Sequence, residues 1–202
     1  MRRTMLIGFT FFFAIAILTI AFADEIKKDD ILFTRYGLRG EGSKVYFHNM
    51  SALPILVPIG TEVKVVKVGK EEIVAKRLDT GRRFEIYALP GYWNKFLVRN
   101  KSELGLDLIS AKMKEAVENN QILEGMTKEE VYLARGCPAY IGYGIKSYTH
   151  SFDEVMGSDV WYYNLNSRRK DTVVTFENGK VSGFVDKQTK VKMKAKNLKE
   201  KK

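Results

Sequence analysis

Gly125-Met126-Thr127-Lys128-Glu129-Glu130-Val131 decides how the second half of this chain is read. Thr127 is a favourable N-cap. Glu130, three residues on, is spaced to reach back to the Thr127 N–H, which is the reciprocal arrangement of a capping box. Met126 and Val131 occupy the two positions of a hydrophobic staple. Glu129 and Glu130 complement the positive end of a helix, and Arg135 the negative end. Gly136 then admits the left-handed backbone that closes a helix, and Pro138 prevents its continuation. The spacing predicts a short helix of about two to three turns.

Upstream, Leu106, Ile109, Met113, Ala116 and Val117 recur at helical spacing, with Lys112, Lys114, Glu115 and Glu118 on the opposite side. This predicts an amphipathic helix ending near Asn119-Asn120. Two helices joined by a few residues form an αα-hairpin, whose apolar faces need a sheet to cover. Downstream, Trp161 and Tyr163 share one face of a strand. Asn178-Gly179 is a strong two-residue hairpin signal, because both residues accept positive φ. Closing that turn pairs Glu177 with Lys180 and Phe176 with Val181. Between Pro138 and Ser158 runs a long connection carrying Tyr140, Tyr143, Tyr148 and His150.

Residues 24–100 read as short strands. Ile31-Leu32-Phe33 and Val45-Tyr46-Phe47 are candidates, separated by the Gly-rich stretch 37–42. Val63, Val65 and Val68 follow, then Ile73 to Leu78, the turn Asp79-Thr80-Gly81, and Phe84, Ile86 and Ala88 in alternation. Pro90-Gly91-Tyr92-Trp93 marks a bend before a last strand, Phe96-Leu97-Val98. This spacing suggests a small β-meander or barrel. The segment Pro58-Ile59-Gly60-Thr61-Glu62-Val63 resembles the opening of bacterial SH3-like domains.

The ordered set Gly125, Met126, Thr127, Glu130, Val131, Gly136, Pro138, Trp161, Tyr163, Asn178 and Gly179 resembles the SmpA/OmlA (BamE-like) domain of the bacterial outer membrane. The resemblance implies an ααβββ unit over 101–186, two helices on a three-stranded antiparallel sheet. It implies turn roles for Gly125 and Gly136 and core roles for Val131 and Trp161. The chain departs from the family in lacking an N-terminal cysteine for lipid attachment. Its gap from Pro138 to Trp161 is also longer. The expected class is therefore α+β, an SH3-like β domain followed by the BamE-like unit.

Arg2-Arg3, an apolar run from Met5 to about Ile20, and Ala21-Phe22-Ala23 read as a signal peptide, residues 1–23, cut before Asp24. The alternative is an uncleaved inner-membrane anchor, since about 18–20 apolar residues span a bilayer. Export would place the chain in the periplasm or outside the cell. The formal net charge of +10 then favours anionic lipid or wall polymer as partners and, in that compartment, disfavours nucleic acid. Cys137 is the only cysteine, so no intramolecular disulfide forms.

Few residues suggest chemistry. Cys137 and His150 are the one pair that would make a cysteine hydrolase, but a cysteine at a helix C-terminus is poorly placed to be a thiolate. His48 and His150 stand apart, with no metal-ligand spacing, and no cofactor loop is present. The chain therefore reads as an exported, non-enzymatic envelope interaction module. A secreted inhibitor of a periplasmic enzyme is a further alternative. Tyr140, Tyr143, Tyr148, Arg168 and Arg169 are candidate partner contacts, because tyrosine and arginine are enriched where proteins meet. The basic tail, residues 187–202, offers Lys190, Lys192, Lys194 and Lys196 to an anionic surface, or else a solvated tail or lysine-protected edge strand.

Overall fold

Apolar residues at period two build the first half of the molecule in the computed structural model, which describes residues 25–166 and 169–186. In β5 (Glu62–Val68) Val63 and Val65 are buried, in β6 (Glu72–Arg77) Ile73 and Ala75, and in β7 (Arg83–Tyr87) Phe84 and Ile86. Alternate side chains point to one face of a strand, so all six enter the same core. Register agrees with the pattern: Ala75 lies opposite Val65 on one side and Phe84 on the other.

Five shorter strands extend this antiparallel meander: β1 (Ile31–Thr34), β2 (Leu38–Glu41), β3 (Lys44–Val45), β4 (Ile55–Val57) and β8 (Leu97–Val98). The resulting curled sheet has eight strands in the order β4-β2-β3-β7-β6-β5-β1-β8. The β3–β7 pairing is parallel.

In the second half, α1 (Ala111–Glu118) packs on α2 (Lys128–Arg135). The Thr127 N–H donates to Glu130 Oε2 at 2.7 Å, and the Glu130 N–H donates to Thr127 Oγ1 at 3.2 Å. The capping box is thus formed, and such a cap is worth about 1 kcal/mol. Met126 and Val131 are both buried behind it. The hairpin between β12 (Arg169–Glu177) and β13 (Lys180–Asp186) pairs Glu177 with Lys180 and Phe176 with Val181. Its turn places Asn178 at φ 52° and Gly179 at φ 75°.

The expected ααβββ unit is not what the second half forms. Its sheet has five strands, with β9 (Tyr140–Ile141), β10 (Ile145–Lys146) and β11 (Val160–Asn166) joining the hairpin in the order β10-β9-β11-β12-β13, and the described residues of the molecule hold three α-helices within a mostly β structure. The difference lies in the long connection after Pro138. There β9 (Tyr140–Ile141) pairs with Trp161 and Tyr162 of β11 (Val160–Asn166), and β10 (Ile145–Lys146) pairs with β9. That pairing covers the outer edge of β11, whose backbone polar groups would otherwise lack partners. A third helix, α3 (Phe152–Gly157), follows and carries its own capping box, Ser151 with Glu154. The first half likewise exceeds a small meander, because β2 and β4 arise in stretches without alternation.

Trp161 fastens α3 to the sheet. Its indole N–H donates to Val155 O at 3.0 Å, and its ring meets Phe176 at 4.8 Å and Tyr132 at 6.0 Å, both edge-on. Lys128 adds a second tie from α2, donating to Met156 O at 3.0 Å and Asp159 Oδ1 at 2.8 Å.

One buried apolar cluster runs through both halves. Tyr36 meets Tyr132 edge-on at 5.5 Å, and the Arg35 guanidinium lies 4.0 Å from the Phe152 ring centre. Asn49 stitches the seam. Its side-chain amide donates to Arg135 O at 2.8 Å and its backbone N–H to Cys137 O at 3.0 Å. A residue of the first half thereby satisfies a terminal carbonyl of α2 that the helix itself leaves open. Among the described residues no helix is long and apolar enough to cross a membrane. The expected signal peptide, residues 1–23, lies outside them.

Candidate functional site

Two irregular segments from opposite halves meet at this seam and leave a cleft between them. From the first half, β7 ends at Tyr87, and a 3₁₀ turn over Pro90–Lys95 presents Tyr92 and Lys95. Phe47 follows β3 on the same side. From the second half, a 3₁₀ turn over Ser147–Thr149 presents Tyr148. The cleft they line, with Leu89, has a volume of about 230 Å³. Its walls are predominantly aromatic: the Phe47 and Tyr148 rings stand 5.1 Å apart, and Tyr87 stacks on Tyr46 at 6.3 Å.

Lys95 sits at the inner end of the cleft with only 1% of its surface exposed. Its ammonium donates to Ser147 O at 2.9 Å and Tyr148 O at 3.2 Å, and stands 4.8 Å from the Tyr92 ring centre. These bonds hold the Ser147–Thr149 turn against the first half. Burial lowers the lysine pKa, and the Cys137 and Glu154 charges act in the opposite direction. Among the described residues no carboxylate reaches ion-pair distance of this amine. Carbonyl oxygens and an aromatic face therefore supply its solvation, which is incomplete compensation for a buried cation.

Behind the cleft lies Cys137, wholly buried. Its sulfur lies 3.6 Å from both Pro138 O and Ser147 Oγ, and the Ser147 hydroxyl donates to Pro138 O. Burial raises the thiol pKa, against the smaller lowering effects of Lys95, Ser147 and Tyr132. The His150 ring has other neighbours: its Nδ1 lies 3.2 Å from Lys146 O and 3.3 Å from Thr149 Oγ1. The structure does not assemble a thiolate and a base.

Of the other residues singled out in the sequence, Tyr148 alone enters the cleft. Tyr140 is half-buried in β9, where it pairs with Lys146 and Tyr162, and Tyr143 projects fully exposed from the turn after β9. Arg169 opens β12 opposite Asn166. Arg168 lies outside the described residues, as do Lys190, Lys192, Lys194 and Lys196. Sequence reasoning missed Phe47, Tyr87, Tyr92 and Lys95. A lysine embedded among aromatics at 87–96 was the available signal. Among the described residues no cluster of three or more His, Cys, Asp or Glu is arranged to hold a metal.

His48, beside Phe47 at 4.6 Å between ring centres, is buried, with neither ring nitrogen hydrogen-bonded. Desolvation lowers its pKa from 6.5 to about 4. Above pH 6.5 both folded and unfolded forms are neutral here, so the residue is neutral in its effect on stability. As the pH falls through that value the unfolded chain takes up a proton that the folded chain refuses, and stability drops until about pH 4. The full loss is about 3 kcal/mol. Urea unfolding at a series of pH values should show this slope in the parent and lose most of it in His48→Phe. Equal slopes in the two proteins would refute the assignment.

Comparison with models of protein families, with curated proteins and with solved structures finds no match for this chain.

Proposed function

We propose that this chain is an exported, non-enzymatic protein of the bacterial cell envelope that binds another envelope protein through the aromatic cleft between its two halves, in support of envelope assembly. The observation that carries the reading is the cleft itself. Phe47, Tyr87, Tyr92 and Tyr148 converge on one concavity with a buried cation at its end. Apolar clefts with a few placed polar groups are the usual form of a binding site, and aromatic side chains supply most of the energy where proteins associate. The signal-like segment at residues 1–23 supports export. Burial of Cys137 weighs against the cysteine-hydrolase alternative, since a nucleophilic thiolate needs access and a low pKa. The lysine-rich tail would add salt-sensitive attraction to anionic lipid or wall polymer.

A photo-crosslinking amino acid placed at position 148 in living cells tests the reading. It should trap one discrete envelope protein, recovered with the envelope fraction, while the same probe at exposed Leu108 or Leu78 traps none. Absence of any specific product at 148, or recovery of the chain in the cytoplasm, would overturn it.

A further inference from the structure

We propose that the turn between β9 and β10 is a second contact surface, apart from the cleft, which seats Tyr143 and Ile145 in the headgroup layer of an anionic lipid bilayer with Lys146 beside them. Register places this turn at the outer edge of the five-stranded sheet, where β10 is the last strand. Ile145 lies opposite Ile141 and Lys146 opposite Tyr140, so Gly142, Tyr143 and Gly144 make the reversal. Both glycines take positive φ, 55° and 95°, a backbone that suits so tight a turn. The base of the turn is held, because the Gly142 N–H donates to Ser158 Oγ at 3.0 Å and to Val160 O at 2.9 Å. Its tip stands clear of the molecule: Tyr143 is 105% exposed and Ile145 53%. Lys146 is exposed as well.

Single exposed apolar residues are ordinary. Here an aromatic, an aliphatic and a cation project together from one rigidly based tip. A tyrosine ring has an apolar body and a polar end, which suits it to the boundary between acyl chains and water. Charge points the same way. From Val131 to Phe152 the sequence holds no Asp or Glu, and the whole chain carries a formal net charge of +10. Asp159, next to the Val160 carbonyl that Gly142 bonds, is already paired with Lys128 at 2.8 Å. A surface of phosphate headgroups is the complement of such a tip. Shape separates lipid from protein. A specific protein interface buries about 800 Å² on each partner against a matching surface, and a three-residue turn does not offer that area. A bilayer requires no matching shape; its hold grows with the apolar area inserted and the charge brought to it.

The test is co-sedimentation of the full mature chain with vesicles of phosphatidylcholine alone or with a quarter of phosphatidylglycerol, at low and high salt. The chain should bind the anionic vesicles at low salt. Replacing both apolar residues, Tyr143→Ser with Ile145→Ser, should weaken that binding about tenfold without moving the urea midpoint, because both side chains are exposed. Lys146→Gln should weaken it less, and only where screening is low. Tyr143→Trp supplies a readout independent of the deletions: its emission should shift to the blue on anionic vesicles, while that of Leu78→Trp, in the turn after β6, should not. Failure of the parent to bind the anionic vesicles would overturn the proposal. So would equal binding by the doubly substituted chain, which would assign the attraction to other basic segments such as the lysine-rich tail. A photo-crosslinker at position 143 that trapped one discrete protein in cells would overturn the choice of lipid, whatever the same probe reports from the cleft at position 148.

Discussion

Replacing Gly136 with alanine should destabilise the protein by about 3–5 kcal/mol, more than most single substitutions do. Two separate costs meet at this position. Its backbone lies at φ 75°, ψ −160°, a region essentially closed to residues with a Cβ, where strain is about 1–3 kcal/mol. The added methyl would also overlap Cδ2 and Cε2 of Tyr36 and stand 2.9 Å from the Asn49 amide nitrogen. Tyr36 is wedged between Phe96 and Tyr132, so its ring has nowhere to retreat without disturbing the cluster, and overpacking of this kind costs about 1–3 kcal/mol. Gly125→Ala is the control. It too has positive φ, 81°, but its Cβ meets nothing within 4 Å, so only the backbone cost applies, about 1 kcal/mol. Urea unfolding should separate the two variants by at least about 2 kcal/mol. If they proved equally stable, the close approach of Tyr36 to Gly136 would be disproved.

Trp161→Ala should cost about 3–5 kcal/mol, the range for truncating a large buried aromatic. The side chain is 0% exposed and fills the space between Tyr132 on α2 and Phe176 on β12, so its removal opens a cavity bounded by elements that cannot easily close it. Trp161→Phe keeps most of the volume but removes the donor to Val155 O. Val155 O keeps the Ser158 N–H at 3.1 Å, so the cost is that of one net hydrogen bond, about 0.5–1.5 kcal/mol. The order parent, Phe, Ala should appear in urea midpoints, with unchanged slopes. A phenylalanine variant as stable as the parent would mean that the bond from Trp161 to α3 contributes nothing.

Those two sites show which parts of the molecule were legible in the sequence. The capping box at Thr127 and Glu130 and the Asn178-Gly179 hairpin are encoded within a few residues, and the structure forms both as their spacing predicts. Trp161 was legible as core. The third helix was equally readable, because Ser151-Phe152-Asp153-Glu154 repeats the signature of Thr127 to Glu130; the long connection drew attention to its tyrosines instead. β9 and β10 span two residues each and have no pattern of their own. They exist because β11 offers an edge, which is a tertiary cause, and with them the three-stranded expectation fails. The predicted first helix begins later than its apolar spacing suggests, at Ala111, leaving Leu106 and Ile109 in the preceding turns.

The cleft was less legible still. Tyr148 could be marked as a contact residue from its setting in an aromatic connection. The aromatic run at 87–96 sets Lys95 apart from the other lysines of a basic chain, but its burial results from the Ser147–Thr149 turn arriving from about fifty positions away. Cys137 and His150 are near in sequence, yet one is interior and the other bonded to its own turn. Among the described residues no hydrogen bond joins the Cys137 sulfur to the His150 ring.

The stitching by Asn49 has a kinetic consequence. Under the proposed binding role, halves already held together by Asn49 and Lys95 would leave the protein little freedom to surrender on association, and the disorder to be lost would fall almost wholly on the incoming chain. Related visitors would then be captured at similar speeds and told apart by how long each one stays.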